Sequence, residues 1–131
     1  MKTLFVVTGI VKNKDKFLIV KKSSEDQNYP NRWSFCSGFV KEHETAENAC
    51  MREIKEETGL DCKINTGEVM EVLDEEKDIN WIIAVYLCTT NKTDVKLCSE
   101  NVDHRWVSAD EFKDYEFVPG LTDSLKKLDL I

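Results

Sequence analysis

The sequence predicts one α/β domain spanning residues 1–131. Three observations carry this reading. Short β-rich apolar runs recur at residues 4–11 (LFVVTGIV), 17–20 (FLIV) and 81–88 (WIIAVYLC). Between the second and third lies a segment, residues 45–58, that lacks glycine and proline and consists largely of good helix formers. A further amphipathic stretch, residues 121–130, follows the breaker Pro119-Gly120 and places Leu121, Leu125 and Leu128 on one side.

The first two runs read as a hairpin, because Asn13-Lys14-Asp15-Lys16 between them is a turn sequence. The basic pair Lys21-Lys22 follows. Residues 23–31 are polar and contain Tyr29-Pro30, which predicts a loop ending at Arg32. Trp33-Ser34-Phe35 is a short strand, with Trp33 and Phe35 on one face. Trp33 is read equally as a core aromatic and as a substrate contact. Residues 38–44 form a loop into the helix, which Thr45 caps at its start and Gly59 ends in a left-handed turn. Two short strands at 62–64 and 69–73 come next, then a solvated charged turn at 74–78. Residues 81–88 are apolar on both faces, as in a buried strand. A polar loop covers 91–101 and a strand 102–107. Ser108 with Glu111 three residues on is a capping box opening a short helix.

The net charge of −7 argues against broad nucleic-acid binding, which leaves a basic footprint. An anionic small molecule would have to be received locally, against the overall field. The five cysteines (Cys36, Cys50, Cys62, Cys88, Cys98) are odd in number and include no C-x-x-C, which reads as reduced thiols of a cytoplasmic protein. Cys36 has no identifiable histidine partner and is not read as a nucleophile. His43 is read as a solvated loop residue. The first residues lack the form of a signal peptide, and no 18-residue apolar stretch predicts a membrane span. Nothing in the sequence sets an oligomeric state.

Residues 45–58 concentrate the chemistry. With each residue turned about 100° from the last, Glu56 and Glu57 fall within about 60° of Glu53. Ala46, Ala49 and Cys50 share that side, while Asn48, Met51 and Lys55 face away. An ordinary solvated charge run would put its acids opposite the small apolar residues and mix them with lysines. Three carboxylates on a half-buried face repel one another and lose hydration. Arg52 can pair with Glu56 across one turn, but one arginine does not balance three acids. A divalent cation does, and carboxylate oxygens suit Mg²⁺ or Mn²⁺.

The pattern Gly38-x5-Glu44-x7-Arg52-Glu53-Ile54-x-Glu56-Glu57-x-Gly59-Leu60 resembles the Nudix box at every defining position. The flanks, with Trp33 before the box and His104-Arg105-Trp106-Val107-Ser108 near the end, resemble the MutT-like branch. The resemblance implies an α/β/α sandwich with a mixed central sheet and a catalytic helix at about 45–58. It implies Mg²⁺- or Mn²⁺-dependent hydrolysis of a nucleoside diphosphate linked to another group. On this chain Glu56 and Glu57 would bind metal, and Glu53 would bind metal or act as base. Arg52 would orient the acids, and Glu44 would support the metal's water shell. An acid outside the box would join the site, with Glu100 preferred to Asp103. The chain departs from the family's frequent Pro-Gly-Gly before the box and has Cys36-Ser37-Gly38 instead. The Ser37 carbonyl remains available to the metal shell, although a glycine-only backbone angle there would be strained.

No proline lies between Pro30 and Pro119, which separates this chain from ADP-ribose-cleaving relatives, and the signatures of NADH- and coenzyme A-cleaving relatives are absent. The implied substrate is then a nucleoside triphosphate, cleaved to monophosphate and pyrophosphate. The alternatives are a dinucleoside polyphosphate or other nucleotide derivative, or a nucleotide sensor without turnover. Arg32, Trp33 and Gly38 are candidate substrate-binding residues, and Trp33, Tyr29 or Phe39 would stack on a base.

Overall fold

The computed structural model describes all of residues 1–131. Seven strands form one mixed sheet: β1 (Lys2–Asn13), β2 (Lys16–Lys22), β3 (Trp33–Ser34), β4 (Cys36–Phe39), β5 (Lys63–Asp74), β6 (Ile79–Thr89) and β7 (Asn101–Val107). The order β3-β2-β1-β6-β5 is extended by β4 on β1 and β7 on β2. β1 and β6 run parallel from Lys2↔Ile79 to Lys12↔Thr89, and every other pairing is antiparallel. Because β6 occupies one edge of β1, the other edge is divided. β4 takes Val6–Gly9 and β2 takes only Lys12 and Asn13. The sheet therefore opens at that edge, and β4 leads from the opening into helix α1 (Ala46–Thr58).

Alternation along the strands sorts the apolar side chains into two layers. Val7, Val11, Ala84 and Cys88 share one face and pack on Ala49, Cys50 and Ile54 of α1. Ile10 and Val85 face the other way, onto Leu121 and Leu125 of α2 (Leu121–Lys127). Phe112 of the 3₁₀ helix Ala109–Asp114 joins that second layer. Helices thus cover both faces of the sheet, giving the α/β/α sandwich.

The caps form as the residue types require. The Thr45 hydroxyl accepts from the Asn48 amide at 3.1 Å. Gly59 takes φ 77°, a left-handed conformation that costs a glycine nothing, and returns its amide to the Lys55 carbonyl. The Glu111 carboxylate accepts from the Ser108 amide and hydroxyl at 3.1 and 3.0 Å.

Several expectations are corrected. The two short strands predicted at 62–64 and 69–73 are one strand, β5, with a register shift between Ile64 and Thr66. A bulge accommodates the polar stretch that reads locally as a break. Part of the loop predicted at 38–44 is strand, because Gly38 and Phe39 pair with Val7 and Val6. The last helix ends at Lys127, three residues short of the predicted end. No helix is long and apolar enough to cross a membrane.

Candidate active site

The box residues converge where α1 passes the end of β4. Glu57 lies on the buried side of α1 and is 8% exposed. Its Oε2 accepts the Ser37 amide at 3.2 Å. Burial, and then the charge of Glu53, push its carboxyl up to about 8. Glu53 lies one turn before it with its side chain 17% exposed, whereas Glu56 is 54% exposed at the rim. The shared half-buried face predicted for three acids therefore holds two, Glu53 and Glu57, while Glu56 meets solvent at its edge.

Arg52 organises the cluster. Its Nε and Nη2 donate to the two Glu44 oxygens at 2.7 and 3.0 Å. Nη1 donates to Glu53 at 2.7 Å and to Glu56 at 3.3 Å, and Nη2 also reaches the Phe39 carbonyl at 3.1 Å. The side-chain bonds to Arg52 hold the Glu44 carboxyl down at about 2, and the Lys41 amide adds to that effect. Glu44 is thus the ion-pair anchor of Arg52, which in turn fixes Glu53. Lysine has one nitrogen where arginine has a planar fork. Arg52→Lys is expected to keep the fold and lower kcat about 10- to 100-fold. Near-normal kcat with an unchanged circular dichroism spectrum would contradict this role.

Gly38 is needed for space. A Cβ built there would lie 2.2 Å from Cδ of Glu53, so the carboxylate rests directly on the glycine backbone. Ser37 does not adopt a positive φ, so serine sits in β4 without the strain that a glycine-only angle would bring.

The loop between β6 and β7 supplies what α1 lacks. The Lys96 and Cys98 amides donate to the carbonyls of Thr58 and Glu57 at 2.9 and 3.3 Å, pairing groups that a helix end leaves free. This fastening brings Glu100 close enough for its charge to act on Glu57. Asp103 lies on β7 and is bonded to Arg105.

A cavity of about 700 Å³ opens beside Ser37. Tyr29, Phe35, Met70, Trp81 and Ile83 line it, together with Asp74, Glu75, Glu76 and Asp123 and one lysine, Lys77, so the lining is net acidic. Trp33 is not among its lining residues. It is buried in the core layer under α2, edge-on to Tyr115 at 5.1 Å. Arg32 lies beside Glu116 at 3.7 Å and donates to the Phe117 carbonyl, and Phe39 is exposed away from the cavity. Sequence reasoning missed Trp81 as a cavity residue, because a tryptophan in an apolar strand reads as core.

No three acid, cysteine or histidine side chains form a ready metal cage. Arg52 holds Glu53 and Glu56, while Glu57 turns to Ser37. The donor chemistry nevertheless fits a hard divalent cation. The donors are carboxylate oxygens and backbone carbonyls, and the most buried carboxylate has one hydrogen-bond donor where it needs positive charge. The cysteines do not compete as a site. Cys36, Cys50 and Cys88 are buried, and burial pushes the Cys36 thiol well above its usual range.

The family model for the NUDIX domain matches residues 2–128. The chain belongs to the Nudix family. Members hydrolyse phosphoanhydride bonds, generally with a divalent metal, and this domain is such a hydrolase. It is 29% identical to the nucleoside triphosphatase NudI of Klebsiella pneumoniae over 135 residues, covering 94% of this chain and 96% of that one. The crystal structure of a MutT protein from Methanosarcina mazei shares the fold at TM-score 0.81 and 22% identity, covering 98% of this chain and 94% of that one. A bifunctional NMN adenylyltransferase/ADP ribose pyrophosphatase from Francisella tularensis, described as complexed with AMP and Mn ion, also shares it. That match has TM-score 0.81 and 18% identity, and covers 98% of this Nudix chain and 41% of the larger one.

Proposed function

We propose that this Nudix domain cleaves nucleoside triphosphates to the monophosphate and pyrophosphate. The observation that carries the reading is the buried Glu57, with Glu53 one turn away, bonded through its own carboxylate to the amide of Ser37, a residue that lines the cavity. The relationship to NudI, a nucleoside triphosphatase, supports the substrate class.

Glu53, Glu56 and Glu57 with the Ser37 carbonyl would hold Mg²⁺ or Mn²⁺. A cation held there neutralises phosphoryl charge and acidifies a water. The chain's own part is positioning. The net acidic lining repels phosphate, so the base enters between Trp81, Met70 and Ile83, and the phosphates stay at the Ser37 end. Tyr29 lines the same cavity and is placed to stack on the base. Water attacks phosphorus next to the α–β bridging oxygen. A P–O bond forms, the bridging P–O bond breaks, and the bridging oxygen leaves with the other phosphate. Glu100 takes the water's proton, because its carboxylate has no arginine partner, whereas Asp103 is held by Arg105. Glu100→Gln should therefore lower kcat with little change in KM.

The test is product release from a panel of canonical and 8-oxo nucleoside triphosphates, ADP-ribose and a dinucleoside polyphosphate, with Mg²⁺ and with EDTA. Pyrophosphate release from a triphosphate, abolished by EDTA, is the expected result. Turnover of only the dinucleotide or ADP-ribose would replace the substrate assignment. Nucleotide binding without any turnover would replace the catalytic reading with a sensor.

A further inference from the structure

β5 ends the sheet as a free edge of 12 residues. It pairs only with β6, so the outward backbone groups of Lys63–Asp74 have no strand to bond. The opposite end of the sheet is closed, because β3 is 2 residues long and Trp33 bridges to Phe117. A long edge pairs with another strand unless charge, proline or a bulge blunts it. β5 has no proline, and its bulge lies at one end, between Ile64 and Thr66. Val69, Val72 and Leu73 are 57%, 39% and 61% exposed along it.

The ladder with β6 fixes the face on which each side chain lies. Ala84 belongs to the layer beneath α1 and Val85 to the layer beneath α2. The register then puts Ile64, Gly67, Val69, Glu71 and Leu73 on the α1 face. Lys63, Thr66, Glu68, Met70, Val72 and Asp74 share the α2 face with the cavity.

Two copies of one strand pair antiparallel about a two-fold axis perpendicular to the sheet, so opposed residues share a face. With Val69 on that axis, Glu68 opposes Met70, Gly67 opposes Glu71 and Thr66 opposes Val72. The bulge skips Asn65, so Ile64 opposes Leu73 and Lys63 opposes Asp74. Apolar side chains thus meet across the seam, and each end closes with opposite charges. Neither Lys63 nor Asp74 has an ion-pair partner within the chain. Moving the axis to Glu68 opposes two glutamates, and moving it to Met70 sets Val69 against Glu71. An edge that complements itself in one register fits a second copy of the same edge.

We propose that this protein dimerises along β5 in the Val69-centred register, bringing the partner's Thr66 and the partner's Lys63 beside Val72 and Asp74 at the open side of each cavity. The pairing adds about ten interchain backbone hydrogen bonds, as many as an ordinary interface carries. Each copy spends its own β5, so assembly closes at two. The partner's Lys63 also offsets part of the acidic lining that Asp74, Glu75 and Glu76 create.

Sedimentation velocity without nucleotide tests this independently of the substrate reading. Wild type is expected to pass from monomer to dimer between about 1 and 200 µM, the range of a small interface. Val69→Lys sets two lysines against each other on the axis and should weaken association tenfold or more. Val69 is exposed, so the fold should survive, which circular dichroism checks. Val102→Lys, at an equally exposed valine on β7, should associate as wild type does. Lys63→Glu sets like charges together at both ends of the seam and should weaken the dimer about fivefold. Adding Asp74→Lys to it should restore association to within about twofold, a rescue that only this register provides. A wild type that stays monomeric at about 200 µM would overturn the proposal. So would growth beyond a dimer, or a dimer that Val69→Lys leaves intact. Failure of the double variant to recover overturns the register, and with it the placement of the partner's Lys63 at the cavity.

Discussion

Glu57→Gln is expected to lower kcat on the order of 10³-fold while making the metal-free protein more stable at alkaline pH. The two effects have one cause. The carboxyl is buried beside Glu53 and titrates at about 8, against an ordinary value of 4.5. Between those two pH values the folded protein holds a proton that the unfolded chain has released. Stability therefore falls as pH rises across that window, by a few kcal/mol if Glu57 acts alone. Below about 4.5 both states are protonated and the penalty vanishes. Glutamine is near-isosteric, and its carbonyl oxygen can still accept the Ser37 amide. Thermal melts in EDTA at pH 5 and pH 9 measure the effect. The stability gain of the variant over wild type should be small at pH 5 and large at pH 9. Excess Mg²⁺ should narrow the gap at pH 9 by stabilising wild type alone. A gap independent of pH would show that Glu57 does not carry a desolvated charge.

Gly38→Ala is the second large effect, about 100-fold in kcat. A new Cβ would stand 2.2 Å from the Glu53 carboxyl carbon, so the side chain must leave its position. A displacement of about 1 Å at a reacting group costs that much. Arg52, bonded to Glu53 at 2.7 Å, would be pulled as well. A mutant cycle separates this from simple damage to β4. If Gly38 acts by seating Glu53, adding Gly38→Ala to Glu53→Ala costs little more activity. Additive losses would place the defect in β4.

The box was legible because its spacing is helical and its acids fall among small residues. The same periodicity that put Glu53 and Glu57 among Ala49 and Cys50 puts them against the sheet in the structure. The hairpin turn, both caps of α1 and the capping box at Ser108 are local signals, and each appears where its residues stand. β5 was misread because a bulge is invisible to two-residue alternation, and the pairing partner β6 decides whether a polar stretch stays in the ladder.

Residue types and their spacing were enough to specify the family's box, the helix that carries it and most of the strands and helices along the chain, though not β4 or the single long β5. These depend on local propensity and on periods of two and 3.6 residues, which are written in sequence. Which acid lies deepest, where Arg52 spends its fork, and that the loop before Glu100 is fastened to the end of α1 came from the folded chain. Those facts depend on the division of the β1 edge and on a loop fastened to the last carbonyls of α1. Contacts between residues 20 to 80 positions apart are set by packing, and packing leaves no local periodicity to read.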